Sequence, residues 1–144
     1  MENSENSRKA LVTHLKTNAL RTDGPFVLAS GETSDWYVDG RQTTFDGEGA
    51  RLVGTCVAAM IADEVTAVGG MTMGADPIAV ATAVMAERPL KAFSVSKTAK
   101  AHGTGGRLVG PVAAGDRVAV VEDATTTGSS AAAAIAALRE EGVT

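Results

Sequence analysis

Two adjacent acids, Glu122 and Asp123, follow the apolar run of residues 118–121 and precede Ala124, Thr125, Thr126, Thr127, Gly128, Ser129 and Ser130. A continuous apolar run is what a strand covered on both faces requires. If the extended backbone persists, the two carboxylates point to opposite faces, so at most one of them faces a given ligand directly. The residues after them lead into an alanine-rich helix whose first amides have no intrahelical acceptor. Those amides, the positive end of the helix dipole and the hydroxyls together suit a phosphate, and Gly128 lets the backbone approach closely. A carboxylate beside such a cradle repels a bare phosphate. A ligand that also carries hydroxyls satisfies both, and a ribose 5-phosphate has these two ends. Each part alone is common at a strand end or a helix cap; the three in this order favour a phosphosugar site. Neither the Walker A spacing nor a G-x-G-x-x-G turn is present.

A second chemically rich stretch is "TAKAHGTGGRLVGPVAAGD", basic and rich in glycine, with Lys100 and His102 close to Lys97 just before it. It has no apolar period and reads as a mobile loop; on its own it is a solvated basic segment. A third loop, "MTMGADP", precedes a helix with Pro77 in its first turn.

The elements that position these loops follow from hydrophobic spacing. Leu11, Leu15 and Ala19 lie four apart on an amphipathic helix with Ser7 as a candidate N-cap. His14 lies in this helix and is expected on its solvated surface. "GPFVLASG" and "DWYVDG" read as two short strands joined in a hairpin by "SGETS". Asp46 caps a second helix predicted to reach about Val65, with Leu52, Cys56 and Met60 at helical spacing. "TAVGG", "LKAFSVSK" and "RVAVVED" are strands, and "PIAVATAVMAE" and "TGSSAAAAIAALREEG" are helices. Alternating strand and helix predict an α/β fold with a mostly parallel sheet covered on both faces. Ligands bind at the carboxyl ends of such strands, where all three loops lie.

The 144 residues suit a single domain, with 44% hydrophobic and 21% charged residues, an ordinary globular balance. A net charge of -4 advertises neither a nucleic-acid nor an anionic-membrane partner. The lone cysteine, Cys56, cannot form a disulfide within the chain and reads as a small apolar residue in a reducing setting. The polar start lacks an apolar signal segment, and no apolar run approaches the ~20 residues of a membrane span. The expectation is a soluble, cytoplasmic protein.

"VAVVEDATTTGSS" resembles the phosphoribosyl pyrophosphate signature of type I phosphoribosyltransferases. "FVLASGETSDWYVDGR", "VGGMTMGADPIA" and "FSVSKTAKAHGTGGRLVGP" are each similar to stretches of orotate phosphoribosyltransferases, in the same order, so the resemblance runs from about Leu11 to Val143. It implies one domain, with helix and hood in residues 1–40 and the core in 41–144. It implies transfer of ribose 5-phosphate from phosphoribosyl pyrophosphate to orotate, giving orotidine 5'-monophosphate and pyrophosphate in pyrimidine biosynthesis. Ser96, Lys97, Lys100, His102 and the stretch from Glu122 to Ser130 would bind phosphoribosyl pyrophosphate, with the two acids on the ribose hydroxyls. Lys100, His102 and Asp123 would be the catalytic set. Trp36, Tyr37 and Thr126 would meet orotate. Mg2+ would be held through the substrate and water, with no direct protein ligand, and the loop of residues 98–108 would act across the subunits of a homodimer.

The chain departs from the family pattern in named places. Ser96 stands where an arginine is common, Ala29 where many members carry lysine, and Val109 where glutamate is common. The family continues through at least one more strand and an arginine that grips the orotate carboxylate, so the chain reads as truncated at its C-terminus. Two alternatives stay open on the residues: a phosphoribosyl-pyrophosphate sensor of the same fold with little catalysis, and a transferase for another base.

Overall fold

Five residues of unbroken apolar or glycine character, Ala67–Met71, form the fully buried strand β5 at the centre of a four-stranded sheet. The computed structural model describes residues 2–99 and 106–144. In chain order the elements are α1 (Glu2–Asn18), β1 (Leu20–Arg21), β2 (Phe26–Val27), β3 (Thr33–Ser34), β4 (Tyr37–Val38), α2 (Arg41–Thr44), α3 (Gly47–Ala58) and β5 (Ala67–Met71). They continue with α4 (Ala75–Met85), β6 (Lys91–Val95), β7 (Leu108–Val109), β8 (Val118–Val120) and α5 (Ser129–Glu140).

The sheet order is β7-β6-β5-β8. Both β6 and β8 run parallel to β5, with Ala67 opposite Lys91 on one side and Val118 on the other. The predicted mostly parallel α/β sheet is therefore present. Side chains alternate across β5. Ala67 and Met71 join Phe93, Val95, Ala134, Ala137, Leu138 and Val143 in a core beneath α5. Gly70 faces the other way, toward Ala75 at the start of α4. Gly69 makes room for the ring of Phe93, since a Cβ there would lie 2.6 Å from Phe93 Cγ. Behind α4, α3 packs at close range: a Cβ on Gly54 would come within 2.6 Å of the Ala81 carbonyl carbon.

Several boundaries differ from the sequence reading, each for a physical reason. Helix α1 starts at Glu2, so Ser7 is interior to it; a Glu5–Lys9 ion pair of 2.9 Å one turn apart carries the helix through that polar stretch. Asp46 does cap α3, accepting from the amides of Glu48 and Gly49 at 3.0 and 2.9 Å, but the helix ends at Ala58 rather than near Val65. The hood is two nested ladders, not one hairpin of the two predicted strands. Phe26–Val27 pairs with Thr33–Ser34, while Tyr37–Val38 pairs with Leu20–Arg21. The segment read as loop throughout residues 98–116 contains β7, antiparallel to β6, with Val95 opposite Leu108. Helix α5 closes on Gly142 at φ +73°, and the Val143 amide donates back to the Leu138 carbonyl at 3.0 Å, a left-handed glycine cap.

His14 also differs. Its side chain is only 12% exposed and bridges α1 to the start of α3, with Nδ1 3.2 Å from Thr43 Oγ1 and Nε2 3.0 Å from Asp46 Oδ1. Cys56 is half-buried, and burial pushes its thiol up, which suits a packing residue. At the amino end of the sheet, Asp116 ties three segments together. It accepts from Lys91 Nζ at 2.9 Å, Thr66 Oγ1 at 2.8 Å and the Ala113 amide at 2.8 Å. Lys91 above all, then those two donors, hold its carboxyl down to about 2. Among the described residues no helix is long and apolar enough to cross a membrane.

Candidate functional site

The carboxyl ends of β5, β6 and β8 deliver three loops to one edge of the sheet, and backbone hydrogen bonds lock them together. The Thr72 amide, just past β5, donates to the Val95 carbonyl at the end of β6 at 2.9 Å. The Val121 amide, just past β8, donates to Gly69 of β5 at 2.8 Å. The loop after β6 is pinned at its base. The Ser96 amide donates to the Arg107 carbonyl at 2.8 Å, and Arg107 Nε returns a bond to the Ser96 carbonyl at 2.9 Å.

The loop from Glu122 to Ser130 has the shape expected of an anion cradle. Gly128 adopts φ +80° directly before α5, a left-handed conformation that glycine takes without cost. The N-cap residue of α5, Gly128, offers no side-chain acceptor. The Ser129 amide donates to Thr127 Oγ1 at a long 3.4 Å. A cavity of about 40 Å³ is lined by Glu122 and the loop from Ala124 to Ala131. Helix α5 is twelve residues long, so its aligned peptide dipoles favour negative charge at this end.

The two acids beside the cradle are in different environments. Glu122 is half-buried, and its Oε1 is buried with no hydrogen-bond partner. Burial, and then the neighbouring charge of Asp123, push its carboxyl above the ordinary range. Asp123 is exposed, with Oδ1 accepting from the Ala124 amide at 3.0 Å. Its carboxylate lies directly against Gly74 in the loop after β5, and its carbonyl lies close to Gly40 at the exit of the hood. A buried acceptor with no donor and an exposed acid one residue later are ready for hydroxyl donors from outside the protein.

The hood borders the same edge. Trp36 is 60% exposed, and Tyr37 presents its ring 5.9 Å from that of Phe26. Arg21 stacks over Phe26 at 5.2 Å while its guanidinium holds Asp23. Arg41 follows the hood, bound to Asp39 with Nε to Oδ1 at 2.8 Å, and that contact first, then the more distant acidity of Tyr37 and Asp123, raises its basicity.

Ser96 and Lys97 follow β6 and the stretch from Glu122 to Ser130 follows β8, at the same carboxyl edge of the sheet, while Trp36 and Tyr37 lie on the hood, whose exit at Gly40 approaches Asp123. Ser96 is half-buried and Lys97 exposed. Lys100 and His102 lie outside the described residues. Three features escaped the sequence reading: Arg107 at the base of the β6 loop, Gly74 against Asp123, and the bond from Thr72 Oγ1 to Asp76 Oδ2 at 2.7 Å. Only the glycine had a visible signal, its position one residue before a helix in "MTMGADP".

No protein-family model matches the chain. Individual proteins do. It is similar to the orotate phosphoribosyltransferase of Streptomyces coelicolor, 48% identical over 139 residues that cover 94% of this chain and 76% of the relative. Among solved structures it is similar to the Mycobacterium tuberculosis orotate phosphoribosyltransferase bound to Fe(III) dicitrate, with a TM-score of 0.85 and 38% identity, covering 95% of this chain and 79% of that one. The same mycobacterial enzyme in complex with 5-phospho-α-D-ribosyl 1-diphosphate matches with a TM-score of 0.80 and 33% identity over 96% of this chain and 77% of the other.

Proposed function

The chain belongs to the orotate phosphoribosyltransferase family, and from that premise we propose that its cradle and paired acids bind phosphoribosyl pyrophosphate for transfer of the phosphoribosyl group to orotate. The observation that carries the reading is the juxtaposition at the end of β8: the amino end of α5, whose N-cap Gly128 offers no side-chain acceptor, beside a buried, partnerless Glu122 oxygen and an exposed Asp123. The 5-phosphate occupies the amides and hydroxyls of Thr125 to Ser130. The ribose hydroxyls donate to Glu122 and Asp123. A mycobacterial relative of the same family is known in complex with this compound.

Displacing pyrophosphate from C1 of the ribose builds positive charge on the sugar and negative charge on the leaving group. The protein's task is to position the reactants and to stabilise those charges. Lys97 and Lys100 oppose the charge on the leaving group, and His102 donates a proton to it. Glu122 and Asp123 fix the ribose. Trp36 and Tyr37 offer flat faces to the orotate ring, and Thr126 reaches the base from the cradle side. Water must be kept from the activated sugar, which it would otherwise intercept.

Among the described residues no group of three or more acids, histidines or cysteines could hold a metal by itself. Mg2+ would be held through the phosphates of the substrate and through water, with no direct ligand from the protein. When bound, Mg2+ neutralises charge on the pyrophosphate. A homodimer fits the exposed apolar side chains of Phe45, Val80 and Val84, which flank a cavity of about 400 Å³ between α3 and α4, with Met73 of the β5 loop also exposed. We also infer a cytoplasmic setting, on which the single free Cys56 bears.

The test is direct. Orotate, phosphoribosyl pyrophosphate and Mg2+ are mixed with the protein and the loss of orotate absorbance is followed. Turnover is expected, and Lys100→Ala should abolish it without loss of fold. No turnover together with tight binding of phosphoribosyl pyrophosphate by calorimetry would make the protein a sensor of that compound. No binding at all would overturn the reading of the site.

A further inference from the structure

Gly74 has a backbone that does not need glycine. Its φ of -59° and ψ of -37° are ordinary right-handed helical values, open to any residue. It precedes α4 as N-cap without a side chain to accept from the first amides, a position that Ser, Thr, Asp and Asn fill at least as well. Neither conformation nor capping explains the missing side chain.

Space does. A Cβ on Gly74 would overlap Asp123 Oδ1 and would lie 2.6 Å from Asp123 Cγ and 3.0 Å from Oδ2. Both sides of that contact are held by hydrogen bonds. Asp123 Oδ1 accepts from the Ala124 amide at 3.0 Å. The turn that carries Gly74 is braced by the bond from Thr72 Oγ1 to Asp76 Oδ2 at 2.7 Å and by the Thr72 amide on the Val95 carbonyl at 2.9 Å. An added methyl group therefore meets a carboxylate fixed by its own loop and a turn fixed by its neighbours.

We propose that Gly74 is a positioning residue for Asp123: its bare Cα lets the carboxylate lie against the 72–76 turn, at the height where it meets the ribose hydroxyls. The inference rests on the reading that Asp123 binds the ribose. Gly74 itself touches no substrate in this account; it acts through the acid.

The test is a double-mutant cycle on the intact protein, with phosphoribosyl pyrophosphate as the calorimetric ligand and steady-state KM for each substrate as a second readout. Gly74→Ala is expected to weaken phosphoribosyl pyrophosphate binding about tenfold and to raise its KM, with the KM for orotate unchanged within about twofold. In an Asp123→Gly background the same substitution should cost less than about twofold, because the carboxylate it displaces is gone. Should Asp123→Gly alone leave the affinity intact, the ribose reading fails and this inference with it. Should Asp123→Gly weaken binding while Gly74→Ala costs the same factor in both backgrounds, the ribose reading stands and the role of Gly74 is overturned. If Gly74→Ala proves too unstable to assay, recovery of its melting temperature in the Asp123→Gly background supports the proposal, and an equal loss in both backgrounds overturns it.

Discussion

Replacing Asp116 by Asn isolates how the amino end of the sheet is held, far from the ligand loops. The acid is nearly buried and accepts from Lys91, Thr66 and Ala113, joining the starts of β5 and β6 to the segment leading into β8. Its carboxyl is held at about 2 against an ordinary value of 3.8, which corresponds to roughly 2.4 kcal/mol of preference for the ionised form. Lys91 is 42% exposed, so water already screens part of that attraction. About 2 kcal/mol remains as the expected loss on Asp116→Asn, since an amide turns a donor toward groups that need an acceptor. For a chain of this size that is a fall in melting temperature of about 6 °C. Because the folded value is depressed, the contribution is complete above about pH 4. It disappears as the pH falls toward 2. Thermal unfolding of both proteins from pH 7 down to pH 2.5 is the assay. The gap should be widest at neutral pH and shrink below pH 4, with KM for both substrates unchanged at 25 °C. A gap that is absent at pH 7, or constant across the range, would refute the reasoning.

Asp46→Ala removes the acceptor for the Glu48 and Gly49 amides and for His14; the midpoint of urea unfolding should fall with its slope unchanged, and Asp46→Asn, which keeps an acceptor oxygen, should recover most of the loss. Glu122→Gln should act in opposite directions on stability and binding. The carboxyl of Glu122 is raised by burial and by Asp123, so folding loses stability as the pH rises through that value. The neutral variant should therefore melt higher than the parent at pH 7 and no higher at pH 4. Its affinity for phosphoribosyl pyrophosphate should nonetheless fall about tenfold at pH 7, because the ribose hydroxyls need an ionised acceptor; calorimetry at the two pH values reads both effects.

The sequence carried the parallel core well because its signals are local. The unbroken apolar character of β5 and β8, the glycine-bearing turn before α5 and the Asp46 cap each declare themselves within a few residues. What escaped depends on partners far along the chain. The outer hood ladder joins Leu20 to Val38 across the inner Phe26–Ser34 pair, and strands of two residues offer no period to read. His14 looks like a solvated helix residue until Thr43 and Asp46 arrive beside it. The loop after β6 hid β7, because Leu108 and Val109 become a strand only by pairing with the edge of β6. Gly74 was visible only as a glycine before a helix; its conformation is ordinary, and the reason for it lies 49 positions on, at Asp123.

The order of the strands explains why that distant pair matters. The chain runs from β5 to β6 on one side and then crosses to β8 on the other, so the direction of winding reverses at β5. Loops leaving adjacent strands on either side of such a reversal diverge and open a crevice at the carboxyl ends. Here the turn at residues 72–76 and the loop at 122–130 leave β5 and β8, the strands on the two sides of that reversal, and the Asp123 carboxylate lies against Gly74. The hood reaches the same residue from a third direction through Gly40. An acid that touches two other segments of the chain and is still exposed has one side held and one side open. A ligand entering this crevice with a phosphate at the α5 amides brings its neighbouring hydroxyls to that open side. The Asp123 carboxylate thus lies against the turn after β5 while its carbonyl approaches the hood, and a methyl group added at Gly74 is expected to disturb that arrangement.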